Sequence, residues 1–198
     1  MPESGSPPVE ATAAAAARRI ALQMLEERGR GAVLVGVARV DAALERLLRA
    51  GLLPTAGRND SLFQAERPLG SFGARISLAH RMGLIETPVE RTLHTLRRVR
   101  NAFAHSSDSA SLTDPAQASR LAQAYQDGRA NPLWAPLESV LSKAGAAGEP
   151  PVDPALRDYI LLITILVAFL EAAAQKLQPQ QPAVVMGFSG IIHQSSGG

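Results

Sequence analysis

The sequence predicts an all-α protein, one helical bundle of six or seven helices, from two kinds of pattern. Apolar residues recur at helical spacing in two long amphipathic stretches. Val33, Val37, Val40, Leu44 and Leu47 share one side of Ala32 to Arg49, and Val89, Leu93, Leu96, Val99 and Phe103 share one side of Thr87 to His105. Helix-starting signals punctuate the chain: Thr87-Pro88, Asp114-Pro115 and Asp153-Pro154 each join a capping side chain to a proline suited to the first helical turn. With 198 residues, 46% of them hydrophobic, the chain is long enough to bury one core. Residues 11–177 are expected to form the domain. The Pro-, Ser- and Gly-rich start over residues 1–10 and the polar, Pro- then Gly/Ser-rich tail over 178–198 are expected to be disordered.

Thr12 to Arg28 is a strong helix former, closed by Gly29 and Gly31 around Arg30. These glycines make no phosphate loop, because no strand precedes them and no third glycine falls at the required offset. Ala32 to Arg49 forms the second helix, with Asp41 and Glu45 bordering its apolar side. The two acids either take a cation from elsewhere, Arg100 being the candidate, or pair along their own helix with Arg46 and Arg49. Gly51 to Arg67 reads as a connection containing Pro54, Gly57 and Asn59, with Leu62 and Phe63 tucked toward the core. Ser71 or a neighbour then caps a short helix that runs through Met82 to a stop at Gly83, with Phe72, Ile76 and Ala79 buried and Arg75 on the flank.

At Thr87 a Thr-x-x-Glu capping box with Glu90 opens the helix that ends at His105. Ser106 to Ser109 is turn material. A helix follows from Pro115 to about Asp127 with Gly128 past its end, and a shorter one runs from Asn131-Pro132-Leu133-Trp134 to near Lys143, with Trp134 read as core. Gly145 to Pro151 is a linker. Asp153-Pro154 opens the most apolar helix, which continues to about Leu177 and is expected to be the central core element. Val184 to Ile192 is an apolar island in the tail that either docks on the body or meets another chain.

Chemistry concentrates between Thr87 and His105. His94, Arg97, Arg98, Asn101 and His105 share the face opposite the apolar stripe. Arg100 breaks the pattern: at 100° per residue it lands between Leu93 and Leu96, where a bare guanidinium must be paired or held at an interface. One reading is an amphipathic helix with a solvated basic face and one salt-bridged arginine. The other takes Arg100, Asn101 and His105 as an Arg-Asn-x-x-x-His run suited to phosphodiester cleavage, with the histidine moving a proton and the arginine holding phosphate charge. Arg100 and His105 lie about 140° apart on an ideal helix. They converge only if the helix frays or a two-fold axis joins two copies.

Three segments resemble the mannitol operon repressor (MltR) family. They are Arg30-Gly31-Ala32-Val33-Leu34-Val35 leading to Val40-Asp41-Ala42-Ala43-Leu44-Glu45, then Pro68-Leu69-Gly70-Ser71-Phe72-Gly73-Ala74-Arg75-Ile76, then Val99-Arg100-Asn101-Ala102-Phe103-Ala104-His105. The resemblance covers about Glu26 to His105 well and the last long helix loosely. It implies an HEPN/MltR-like helical fold, and the Arg-Asn-x-x-x-His run resembles the signature of HEPN domains, many of which are metal-independent ribonucleases acting as dimers. Arg75 belongs to the family's most recognisable motif, and either supports the Arg100 region or lies on the surface. HEPN toxins switched off by modification usually carry a tyrosine two residues after the histidine; Ser107 stands there in this chain, so that control does not carry over.

Other chemistries find no footing. The chain has no cysteine for disulfides, thiolate sites or nucleophiles, and a cytoplasmic location is the expectation. No signal-peptide pattern is visible, and the apolar stretch Tyr159 to Leu170 is shorter than the roughly 18–20 residues a bilayer requires. The sequon Asn59-Asp60-Ser61 is read as chance. Histidines 80, 94, 105 and 193 lack metal-ligand spacing, so no metal and no cofactor is expected. Net charge is only +2, but residues 1–105 carry 15 Arg against 10 acids, so attraction for polyanions should sit in that half. The helix pair around Gly83 does not resemble a DNA-reading unit, because apolar Val89 and Glu90 occupy the end that would enter the groove.

The expected function is an MltR-like regulator, a homodimer acting through a protein or RNA partner at Arg97, Arg98, Arg100, Asn101 and His105, with no sequence-specific DNA reading. The alternative is a metal-independent endoribonuclease with His105 as general acid/base and Arg100 as phosphate clamp. A third reading makes the run purely structural.

Overall fold

The structure, a computed structural model, describes residues 9–27, 29–55, 60–105, 110–144, 152–178, 186–187 and 190–191. The fold is all-α. Seven helices carry it: α1 (Val9–Leu25), α2 (Arg30–Gly51), α3 (Phe72–Arg81), α4 (Thr87–His105), α5 (Pro115–Arg129), α6 (Trp134–Ala144) and α7 (Pro154–Lys176). In the tail, Met186–Gly187 pairs antiparallel with Gly190–Ile191, giving the region expected to lack order one short hairpin. The sequon Asn59, the turn at Ser106 to Ser109, the Gly145 to Pro151 linker, His193 and the rest of the apolar island lie outside the described residues. Helix α1 opens at Val9, inside the stretch expected to be loose, and α2 opens at Arg30, two residues earlier than its apolar spacing implied.

Helix α7 organises the core. Asp153 accepts hydrogen bonds from the backbone amides of Ala155 (2.8 Å) and Leu156 (3.0 Å), with Pro154 in the first turn where its missing N–H is not needed. From Asp158 to Leu170 its side chains are buried except at Leu166 and Phe169. α2 runs against it, and both α1 and α5 pack on it as well. The two helices approach closely at Gly36, where a Cβ would stand 3.0 Å from the Tyr159 ring and hydroxyl. Tyr159 donates its hydroxyl hydrogen to the Val33 carbonyl at 2.9 Å, satisfying a polar group in the middle of this contact. Burial also pushes the Tyr159 hydroxyl pKa upward, so it remains a donor. At the start of α7, buried Asp158 joins Arg129 of α5 and Arg157, and Arg157 reaches Glu138 of α6 at 3.1 Å.

Helices α3 and α4 lie on the α2 side. Ser71 caps α3 by accepting from Ala74 N at 3.2 Å. Gly83, at φ 70°, closes it: the Leu84 amide reaches back to the Ala79 carbonyl at 2.9 Å, a bond that needs the left-handed residue between. The capping box expected at α4 does not close among the described residues. The helix already includes Thr87, and the Glu90 carboxylate turns instead toward His80 (3.5 Å) and His94 (3.9 Å). As expected from spacing, Leu93, Leu96, Val99 and Phe103 are buried, and so is Trp134.

Candidate functional site

Arg100, Asn101 and His105 stand on the last two turns of α4, all three exposed. Among the described residues none of their side chains forms an ion pair or hydrogen bond. Of the two cases open for Arg100, a buried pair with Asp41 or Glu45 or a place at an interface, the first does not hold, because Arg100 is exposed. Leu93 and Arg100 sit at nearly the same angle on α4, yet Leu93 is fully buried and Arg100 exposed. Seven residues separate them, about 10 Å along the axis. Val99 and Phe103, nearer the middle of the stripe, stay buried on either side of Arg100, so the covered arc narrows on the Leu93 edge toward the end of α4, and a wheel projection does not show how that width changes along the axis.

The expected face is otherwise present. Asn101 and His105 follow one another four residues apart, with exposed Arg98 three residues before Asn101. Arg98 donates to Thr95 Oγ1 at 3.3 Å. Arg97 is half-buried, its guanidinium carbon 3.6 Å from where a Cβ on Gly73 would stand, and its Nε is buried without a partner among the described residues. Arg30 was not singled out by sequence reasoning, which took it for part of a turn. Its guanidinium donates to the Ala104 carbonyl at 3.1 Å, so a further cation meets the negative end of the α4 dipole beside His105. The flanking glycines hid this, since Arg30 begins a helix that runs back along α4.

Arg75 is the arginine that Asp41 and Glu45 hold. It is buried, and neither flanks the surface nor touches the Arg100 region. Its Nη1 meets Asp41 at 2.8 Å, its Nη2 meets Glu45 at 2.9 Å and the Phe63 carbonyl at 3.2 Å, and its Nε donates to the Leu69 carbonyl at 2.8 Å. Glu45 also holds Arg49 at 2.9 Å; Arg49 in turn bonds Asp60 at 2.6 Å and lies 4.0 Å above the centre of the Phe63 ring. The Pro68 to Ile76 segment is thereby explained as architecture. Gly70 lies so close to the preceding turn that a Cβ would stand 2.4 Å from the Gln64 carbonyl oxygen, Ser71 caps α3, and Arg75 ties the loop to α2.

A second titratable group lies halfway along α4. His80 and His94 flank Glu90, and a ring nitrogen of His80 is 3.2 Å from the Ile85 carbonyl. Burial, and next the Arg97 charge, hold the His94 pKa below its ordinary value; Glu90 opposes them and Arg98 adds to the lowering. No group of three or more metal-ligating side chains occurs among the described residues, and none of the described helices is long and apolar enough to cross a membrane. Compared with protein-family models, with curated proteins and with solved structures, the chain finds no match.

Proposed function

We propose that this protein is a cytoplasmic regulator of the MltR type, working as a homodimer that engages an RNA or protein partner through the end of α4. Arg97, Arg98, Arg100, Asn101 and His105 form the contact surface, with Arg30 beside them. The observation that carries this reading is that the side chains of Arg100, Asn101 and His105 are exposed and have no ion pair or hydrogen bond among the described residues. A fold does not need such residues for its stability, and a guanidinium, an amide and an imidazole left open to solvent suit a partner that brings its own negative charge. Between the two partner classes this favours RNA. Direct reading of duplex DNA is not part of the proposal, since the helix pair around Gly83 places Val89 and Glu90 at the end that would enter a groove.

Sedimentation of the purified protein, followed by filter binding of labelled RNA in chelator, tests it. The expected result is a dimer that retains RNA, with Asn101→Glu weakening either the dimer or the retention by placing like charges across the axis. Arg100→Ala and His105→Ala should lose retention while melting like the wild type. A monomer that ignores RNA would overturn the reading. Cleavage of the RNA in chelator, lost in His105→Ala, would replace it with the ribonuclease alternative, in which two copies bring Arg100 and His105 together.

A further inference from the structure

A groove of about 390 Å³ opens on the α7 side of the bundle, away from the Arg-Asn-x-x-x-His run. Its floor is α7, where Leu162, Ile165, Leu166, Phe169, Leu170 and Ala173 repeat at intervals of three and four residues, and its walls come from the start of α4 and the end of α5. On this stripe Phe169 is 46% exposed, which makes it, with Leu22 and Leu53, one of the large apolar side chains most open to solvent among the described residues. The volume falls within the range of small-ligand sites, roughly 300–1,000 Å³, and the position between helices of a bundle is a usual one for them. The polar lining residues are few: Glu86, Asp127, Thr92 and Asn131. Among the described residues no lysine, arginine or histidine lines it. The basic half of α4 therefore has an apolar, acid-rimmed counterpart elsewhere on the molecule.

We infer that this groove binds a small organic cation with an apolar body, such as a protonated aliphatic or aromatic amine. The hydrocarbon part displaces water from the α7 stripe, and the ammonium lies toward Glu86 and Asp127. An anionic amphiphile of the same length meets two carboxylates with no cation to offset them. Asp127 already accepts from Gln123 at 2.8 Å, which holds its carboxylate in place while leaving an oxygen to receive the ligand.

The single tryptophan reports occupancy, because Gly128 lines the groove and a Cβ there would stand 2.9 Å from the Trp134 ring. Octylammonium, octyl sulfate and octanol, each below its micelle concentration, are titrated by calorimetry and Trp134 fluorescence. Octylammonium should saturate at one per chain and bind at least tenfold more tightly than octyl sulfate. The double variant Glu86→Gln with Asp127→Asn should lose that preference, and Ala173→Phe should weaken binding at least tenfold with the helical signal retained. If Ala173→Phe does not fold, Leu166→Lys, which sets a cation in the groove, replaces it with the same expectation. Octyl sulfate binding as well as octylammonium, absence of saturation, or binding indifferent to the groove variants overturns the inference. Loss of a dimer on Ala173→Phe with probe binding unchanged assigns the groove to a second copy and overturns it as well.

Discussion

Removing the Arg75 guanidinium is the most demanding test of how this domain is held. Arg75→Met keeps most of the stem's volume but strands Asp41 and Glu45 and leaves the Phe63 and Leu69 carbonyls short of a donor. Breaking a buried pair typically costs about 3–5 kcal/mol. The low end applies, because the Asp41 and Glu45 side chains are 29% and 26% exposed and Glu45 retains Arg49. A loss of about 3 kcal/mol, at roughly 2–4 °C per kcal/mol for a domain of this size, lowers the melting temperature by about 6–12 °C. Adding Asp41→Asn should recover part of it, since the neutral amide no longer needs the guanidinium. Arg100→Ala is the control: an exposed, unpaired side chain should change stability by no more than about 0.5 kcal/mol. Thermal melts followed by circular dichroism read all three. Arg75→Met melting within 2 °C of wild type, roughly the effect of a surface change, would refute the assignment of Arg75 as the buried cation, and so would an Arg100→Ala variant as costly as Arg75→Met.

Three further outcomes follow from the same geometry. Gly70→Ala should destabilise by about 1–3 kcal/mol, because the added methyl meets backbone rather than a movable side chain; chemical denaturation showing less than about 0.5 kcal/mol would mean the loop yields freely. His94 has a lowered pKa in the folded state, so the unfolded chain takes up its proton first as pH falls through about 6.5, and stability declines below that pH. His94→Gln should therefore show a shallower fall in melting temperature between about pH 7 and 5 than wild type, and an unchanged slope would assign the decline to other groups. Binding to duplex DNA should be weak, steeply salt-dependent and indifferent to sequence; a footprint on one operator at physiological salt would contradict it.

Much of the architecture is local and was legible in the sequence. Asp153-Pro154 caps and starts α7 because the required donors lie two and three residues away, and the stripe from Leu93 to Phe103 is buried because its spacing matches the helical repeat. The start of α4 was read less well. Glu90 was assigned to a capping box from spacing alone, whereas His80 and His94 offer its carboxylate a partner. The candidate run at Arg100, Asn101 and His105 was visible as a motif, but whether its arginine was structural or exposed depended on how far round α4 the packing reaches near its end. That boundary is a property of several helices at once. For Asp41 and Glu45 the sequence left two partners open, a distant Arg100 or Arg46 and Arg49 of their own helix; only the tertiary structure decided that Arg75, 34 and 30 residues away, meets both while Arg49 also meets Glu45. Spacing along one helix reports which residues share a face; it carries no information on which distant side chain arrives there, because that is set by the path of the loop from Phe63 to Ser71 and by how far α3 and α4 reach along α2.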